Sequence, residues 1–342
     1  MNWRRAPVQP TTESQLNAVE HSIAQEKQIP LISGHRSASL GFEWMSERKG
    51  LPTMSETQST RSIELPDGTV AVVNTFRAEN TDDAPVVVVW PGIAASGALY
   101  SGLAAELSRQ GCTVVVGELH GQGNSSPRPP RSSRYGMHDQ VIYDYHLTTE
   151  YARGLSAGRP VYVLAHSFGG QLAVCHVARD QRIAGLILVA SGLAPVSELR
   201  ALSTRRWLGA RALFGVIARI GWLPATKMLG RPTRGLTTDI ANMVLSGRFE
   251  PRGAEFDYEA AMGRSETPVL AINFAADRRV SIRETDLLVG KFGRAPLRRE
   301  VIDSGLGHMS WLKSPQAVAE IAVEFIRELS ADQPEKETRA VA

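Results

Sequence analysis

The chain has 342 residues, 43% of them hydrophobic, which is enough to bury the core of one large domain or two ordinary ones. Its 38 Lys and Arg residues nearly balance 35 Asp and Glu residues, and a net charge of +3 is too small to indicate nucleic-acid binding. No run reaches the roughly 18 apolar residues of a membrane span, and residues 1–60 hold no apolar run typical of a signal peptide. These absences predict a cytoplasmic protein without an integral membrane span.

The two cysteines lie in apolar segments, Cys112 in GCTVVVG and Cys175 in LAVCHVA. Such surroundings favour two buried thiols over a disulfide.

Residues 1–60 form a predicted N-terminal arm that is partly helical. Leu16, Val19 and Ile23 recur at helical spacing and predict a short amphipathic helix over residues 11–28. Prolines and glycines interrupt the remainder of the arm, and the sequence assigns it no role.

From Arg61 the pattern changes to strands. Two short β-like runs, RSIEL and TVAVVNTF, flank Pro66-Asp67-Gly68 and predict a hairpin. Further runs without polar alternation are typical of parallel strands buried on both faces: VVVVW, TVVVGEL, VYVLAHS, IAGLILVAS, PVLAINFA and LRREVIDS. Helical patterns cover residues 98–109, 139–155, 169–179, 282–289 and 315–329. The prediction is therefore an α/β protein with a mostly parallel sheet, covered on both faces and entered by an antiparallel hairpin.

A long insertion interrupts this alternation. Residues 195–264 show several short helical patterns between two predicted strands, with apolar residues that include Trp207, Phe214 and Trp222. This stretch has 11 Arg and Lys residues against 6 Asp and Glu residues, an excess of +5. We interpret it as a helical cap whose apolar side chains pack on the protein. The core then comprises residues 61–194 and 265–330, and residues 331–342 form a predicted disordered tail.

The segment VYVLAHSFGG at residues 161–170 carries the strongest chemical signal. A buried strand runs directly into Ser167, and a helix begins immediately after it. A serine in such a turn projects its Oγ above the carboxyl edge of the sheet, beside the unpaired N–H groups of the helix N-terminus. Small residues at 165, 169 and 170 let the strand and the helix approach closely.

These residues resemble the nucleophile elbow of the α/β-hydrolase superfamily, Gly-x-Ser-x-Gly, with Ala165 at the place of the first glycine. The resemblance implies a serine hydrolase of the esterase-lipase type, with Ser167 as nucleophile and the order Ser, acid, His along the chain. Asp277 follows the strand PVLAINFA and His308 follows LRREVID, so both positions are occupied. Asp303, which lies five residues before His308, competes with Asp277 for the role of the acid.

The resemblance also predicts an oxyanion hole. Its donors are the N–H of Phe168, directly after the nucleophile, and the N–H of Ile93 in the loop after VVVVW. The proposed reaction requires no cofactor. His138, His146 and His176 have no metal-ligand spacing, and no metal is predicted.

The predicted function is hydrolysis of a hydrophobic carboxylic ester, with an acylglycerol or a lysophospholipid as candidate substrates. Trp207, Phe214 and Trp222 are the candidate substrate-binding residues. A thioesterase or a carbon–carbon bond hydrolase with the same triad is the alternative. A non-catalytic protein that binds a small ligand on the same fold is an alternative of another class. The oligomeric state stays open.

Overall fold

The computed structural model describes residues 58–78, 84–201, 204–222 and 232–331. The predicted helix over residues 11–28 and the predicted tail from residue 332 lie outside these residues. The described residues fall within one unit, Thr53–Ala342.

An eight-stranded sheet forms the centre of the described structure, with the strand order β1-β2-β4-β3-β5-β6-β7-β8. The strands are β1 Gln58–Glu64, β2 Val70–Phe76, β3 Val86–Trp90, β4 Thr113–Val116, β5 Val161–His166, β6 Gly185–Val189, β7 Val269–Phe274 and β8 Leu297–Ile302. The β1–β2 and β2–β4 pairs are antiparallel, whereas the pairs from β4 to β8 are parallel. The predicted parallel sheet with a hairpin entry is thereby confirmed.

Helices follow the parallel strands and cover both faces of the sheet. They are α1 Ser101–Arg109, α2 His146–Ser156, α3 Phe168–Arg179, α4 Thr204–Ile220, α5 Arg234–Ser246, α6 Tyr258–Arg264, α7 Ile282–Val289 and α8 Gln316–Ala331. Shorter helical turns lie at Gly97–Tyr100, Met137–Asp139, Val196–Ala201 and Ser310–Lys313, and a π-helical stretch, Gln140–Tyr145, leads into α2. The helix predicted as one segment over residues 139–155 is thus a π-helical turn followed by α2.

The packing of helices on both faces of the sheet explains why the sequences of the central strands are continuously apolar. Alternate residues of β3 point to opposite faces: Val88 joins a cluster with α2 and α3, and Val89 joins a cluster with α1 and α8. Every residue of β3 to β7 is buried. β8 differs from the prediction of a strand buried on both faces, because it is an edge strand whose charged residues remain partly exposed.

The stretch between β6 and β7 contains α4, α5 and α6. Helix α5 is fixed to the loop before α2, because Thr233 caps α5 and its Oγ1 also donates to the carbonyl of Tyr135 at 2.6 Å. Asp239 of α5 accepts the Met137 N–H at 2.9 Å. The prediction that the apolar side chains of this stretch pack inward is right for Ile217. It does not hold for four others, each at least 51% exposed: Leu213, Val216, Ile220 and Trp222.

Two further predictions concern single features. Cys112 and Cys175 are both free and buried, as predicted. Among the described residues, no helix is long and apolar enough to cross a bilayer.

Candidate active site

The turn between β5 and α3 holds Ser167 in a strained conformation. Its φ is +53° and its ψ is −123°, a region that non-glycine residues rarely adopt. The Ser167 N–H donates to the carbonyl of Val189 on β6 at 3.0 Å, which ties the turn to the neighbouring strand. A strained backbone of this kind persists only where its surroundings hold it, and here it raises the Ser167 side chain above the carboxyl edge of the sheet.

The carboxyl ends of β5, β7 and β8 bring Ser167, Asp277 and His308 together. His308 Nε2 lies 2.9 Å from Ser167 Oγ, and His308 Nδ1 lies 2.8 Å from Asp277 Oδ2. These are hydrogen-bond distances, and they place the histidine between an alcohol and a carboxylate. Asp303, the competing acid, is exposed on the strand end that leads to the histidine loop.

Asp277 is held so that its carboxylate faces the histidine. Its Oδ1 accepts the backbone N–H groups of Arg279 at 2.7 Å and of Val280 at 3.2 Å. Burial opposes ionisation of Asp277, but hydrogen bonds from His308 and from these N–H groups outweigh it, and the pKa of Asp277 lies below its ordinary value. The carboxylate is therefore ionised at neutral pH and can accept a hydrogen bond from His308 Nδ1.

The loop after β3 passes directly beside the nucleophile. A Cβ on Gly92 would lie 3.3 Å from Ser167 Cβ and 3.1 Å from His166 Nδ1, so only glycine lets the loop backbone come this close without displacement. Within the part of the chain that the structure describes, neither the Ile93 N–H nor the Phe168 N–H has a hydrogen-bond acceptor in the protein. Both N–H groups lie in segments that flank Ser167, and their role in an oxyanion hole stays a prediction.

Sequence reasoning missed Tyr100, the last residue of the short helical turn Gly97–Tyr100 before α1. Its hydroxyl contacts the Gly92 N–H at 2.9 Å and His166 Nδ1 at 2.6 Å. Nothing in the local sequence marks this tyrosine, because its position beside His166 depends on how β3 and β5 pair. His166 itself is fully buried, and its Nε2 lies 2.9 Å from the carbonyl oxygen of His308.

A second polar cluster lies away from the triad on α2 and after α3. Ligand atoms of His146, Glu150 and Asp180 lie within 4.8 Å of one another, which a metal site would require. Two arginines already compensate these carboxylates: Arg153 lies 2.7 Å from Asp180 and Arg182 lies 2.8 Å from Glu150. The cluster is accounted for as an ion-pair network.

The candidate substrate-binding aromatics lie on α4 and just after it. Trp207 and Phe214 are partly buried, with the Arg211 guanidinium 5.9 Å from the Trp207 ring. Trp222 is 51% exposed, and the Arg131 guanidinium lies 5.7 Å from its ring. Their role in substrate binding stays a prediction.

Gly169 of α3 lies in close contact with the loop after β3. A Cβ at this position would lie 2.3 Å from the Pro91 carbonyl oxygen, so Gly169→Ala must displace either the helix or the loop. We expect about 1–3 kcal/mol loss in free energy of unfolding and roughly a hundredfold loss in kcat for an activated ester. Denaturant unfolding and steady-state kinetics measure the two effects.

The matched control is Gly154→Ala in α2, where nothing lies within 4 Å of the added Cβ. This variant should be stabilised by roughly 0.5–1 kcal/mol and keep its kcat, because alanine favours a helix. Wild-type kinetics in Gly169→Ala would contradict the role given to this contact.

Comparison with known proteins adds a family match and a fold match. Residues 81–233 match the family model described as serine aminopeptidase, S33. This range contains Ile93, Ser167 and Phe168 but ends before Asp277 and His308. The comparison with curated proteins gives no match to this chain.

Solved structures share the architecture at low sequence identity. Est1E from Butyrivibrio proteoclasticus is 15% identical, with a TM-score of 0.54 over 80% of this chain and 99% of that chain. A bacterial membrane phospholipase A is 18% identical, with a TM-score of 0.52 over 80% and 87%. The thioesterase domain from the curacin biosynthetic pathway is 18% identical, with a TM-score of 0.52 over 78% and 99%.

These similarities establish that the chain has the α/β-hydrolase fold. The family match over residues 81–233, which include the strand–serine–helix segment, agrees with this fold and supports a hydrolase. The resemblance inferred from the residues around Ser167 is thereby confirmed.

Proposed function

We propose that the protein is a serine hydrolase that cleaves a hydrophobic carboxylic ester through an acyl-enzyme on Ser167. The observation that carries the proposal is the chain of two hydrogen bonds from Ser167 through His308 to Asp277, at 2.9 Å and 2.8 Å. A serine hydroxyl is a weak nucleophile at neutral pH, and this arrangement supplies the base that takes its proton.

The reaction proceeds in two acyl transfers. Ser167 Oγ attacks the ester carbonyl carbon while its proton passes to His308 Nε2, and the Ile93 and Phe168 N–H groups stabilise the oxyanion. The tetrahedral intermediate collapses as His308 returns the proton to the alkoxide, which leaves as the alcohol. Water then attacks the acyl-enzyme with His308 as base, and the carboxylic acid and free Ser167 are released.

The charge of the cap favours a neutral or anionic substrate. Helix α4 carries Arg205, Arg206, Arg211 and Arg219 and no acidic residue. A substrate with a free amino terminus, as an aminopeptidase requires, would find no carboxylate on this helix. The cap aromatics Trp207, Phe214 and Trp222 favour an apolar acyl or alcohol group, and acylglycerols or lysophospholipids fit both features.

The test is turnover of p-nitrophenyl esters from acetyl to palmitoyl, alongside an acyl-thioester series and an aminoacyl p-nitroanilide. We expect ester hydrolysis with an optimum at medium or long chains and no release of p-nitroaniline. A kcat/KM at least tenfold higher for thioesters than for matched esters would favour the thioesterase. Ligand-induced stabilisation without any turnover would favour the non-catalytic binding protein.

A further inference from the structure

We propose that Tyr100 and His166 form a buried positioning pair. The pair couples the loop after β3, which contains Gly92 and Ile93, to the loop after β8, which contains His308. The inference rests on the proposed function, since it assigns these residues a part in the same reaction. Tyr100 Oη lies 2.9 Å from the Gly92 N and 2.6 Å from His166 Nδ1. His166 Nε2 lies 2.9 Å from the carbonyl oxygen of His308. One continuous chain of hydrogen bonds therefore joins the two loops.

The groups at the two ends of this chain of hydrogen bonds determine which atom donates and which accepts in each bond. The His308 carbonyl can only accept, so His166 Nε2 carries a proton. Burial lowers the pKa of His166 to about 3, and the neutral ring then has a bare Nδ1 that accepts the Tyr100 O–H. The Tyr100 oxygen is left to accept the Gly92 N–H. Each donor meets one acceptor, and no other assignment of a neutral His166 satisfies both ends.

The pair does not itself reach the reacting atoms. Tyr100 and His166 are both fully buried, and the Trp311 ring makes an edge contact with the His166 ring, with 5.4 Å between the ring centroids. Trp311 Nε1 also donates to the His308 carbonyl, at 3.1 Å. The backbone of the catalytic histidine is thereby held from two directions.

The fixed position of Gly92 has a consequence for the next residue. The hydrogen bond to Tyr100 holds the Pro91–Gly92 peptide in place, and we expect it to help position the next N–H, that of Ile93, for the substrate carbonyl. His166 also adjoins Ser167 in the chain. The segments that carry Ser167, the Ile93 N–H and His308 are therefore all connected to the His166 side chain. We infer that the two hydrogen bonds of this imidazole set the relative positions of the three groups.

The test compares Tyr100→Phe, His166→Leu and the double variant, with Tyr162→Phe as control. Tyr162 is an equally buried tyrosine on β5 whose hydroxyl lies 3.5 Å from Ser330 Oγ, away from the two loops. We expect kcat to fall about 10- to 100-fold in each single variant with KM within about twofold. The double variant should fall no further, because the pair acts as a unit. His166→Gln keeps a donor and an acceptor and should recover several-fold over His166→Leu.

The proposal is overturned if Tyr100→Phe keeps wild-type kcat, or if the two losses multiply in the double variant. A wild type that hydrolyses no ester would contradict the proposed function instead.

The pair is then tested by ¹⁵N NMR of the histidine side chains, which needs no substrate. We expect a neutral His166 with its proton on Nε2 from pH 5 to 8, and a changed Nδ1 shift in Tyr100→Phe. A proton on Nδ1, or an unchanged Nδ1 shift, would refute the pair.

Discussion

Replacement of Ser167 by alanine is expected to lower kcat for p-nitrophenyl butyrate by about 10⁵- to 10⁶-fold. The variant keeps the fold, because alanine lacks only the hydroxyl, and among the described residues that hydroxyl makes no side-chain hydrogen bond except the one it donates to His308 Nε2. Without Oγ no acyl-enzyme forms, and the residual rate comes from substrate binding and the oxyanion donors alone. Steady-state kinetics at pH 7.5 with a substrate-only blank measure the loss.

Ser191→Ala is the matched control for this variant. Ser191 is buried at the end of β6 beside the nucleophile elbow, and its Oγ donates to backbone carbonyls, the nearer being Val189 at 3.2 Å. Its loss should cost about 1 kcal/mol in free energy of unfolding and leave kcat within a few-fold of the wild type. Comparable turnover in Ser167→Ala and wild type would remove Ser167 from the mechanism.

The second large effect concerns the acid partner of His308. Asp277→Asn is expected to lower kcat by about 10⁴-fold, because the amide NH₂ can turn toward His308 Nδ1 and favour the tautomer that has its proton on Nε2. That tautomer cannot accept the Ser167 proton. The exchange preserves shape, so thermal unfolding should show a folded protein.

Asp303→Asn separates the two carboxylates that sequence order alone leaves in competition. Asp303 is exposed, whereas the Asp277 side chain is 1% exposed and hydrogen-bonded to His308. We expect Asp303→Asn to retain wild-type kcat and KM. The opposite pattern, with loss in Asp303→Asn and none in Asp277→Asn, would transfer the role of the acid to Asp303.

Sequence patterns predict the sheet because a strand buried on both faces must be apolar at every position. That condition holds for β3, β5 and β7, so these strands can be predicted from their own residues without knowledge of the strands that pair with them. β8 contains Arg298, Arg299 and Glu300, and its edge position shows only in the assembled sheet. The order of the strands likewise depends on crossovers that a local pattern does not contain.

The candidate triad could be inferred because each member follows a recognisable strand at the same edge of the sheet. Tyr100 could not, because it lies on a short helical turn and reaches His166 only after β3 pairs with β5. The prediction for the apolar residues of α4 fails at Leu213 and Val216, which are exposed, for a related reason. Helical spacing identifies an apolar row but not the surface against which that row lies.

The most direct measurement for the central claim is labelling of the wild-type protein with a fluorophosphonate, followed by mass spectrometry of its peptides. We expect a single phosphonyl adduct on Ser167, formed at a rate that falls at least a hundredfold in His308→Ala, because the histidine removes the Ser167 proton. A folded wild type that acquires no adduct, or acquires it on another residue, would contradict the assignment of Ser167 as the nucleophile.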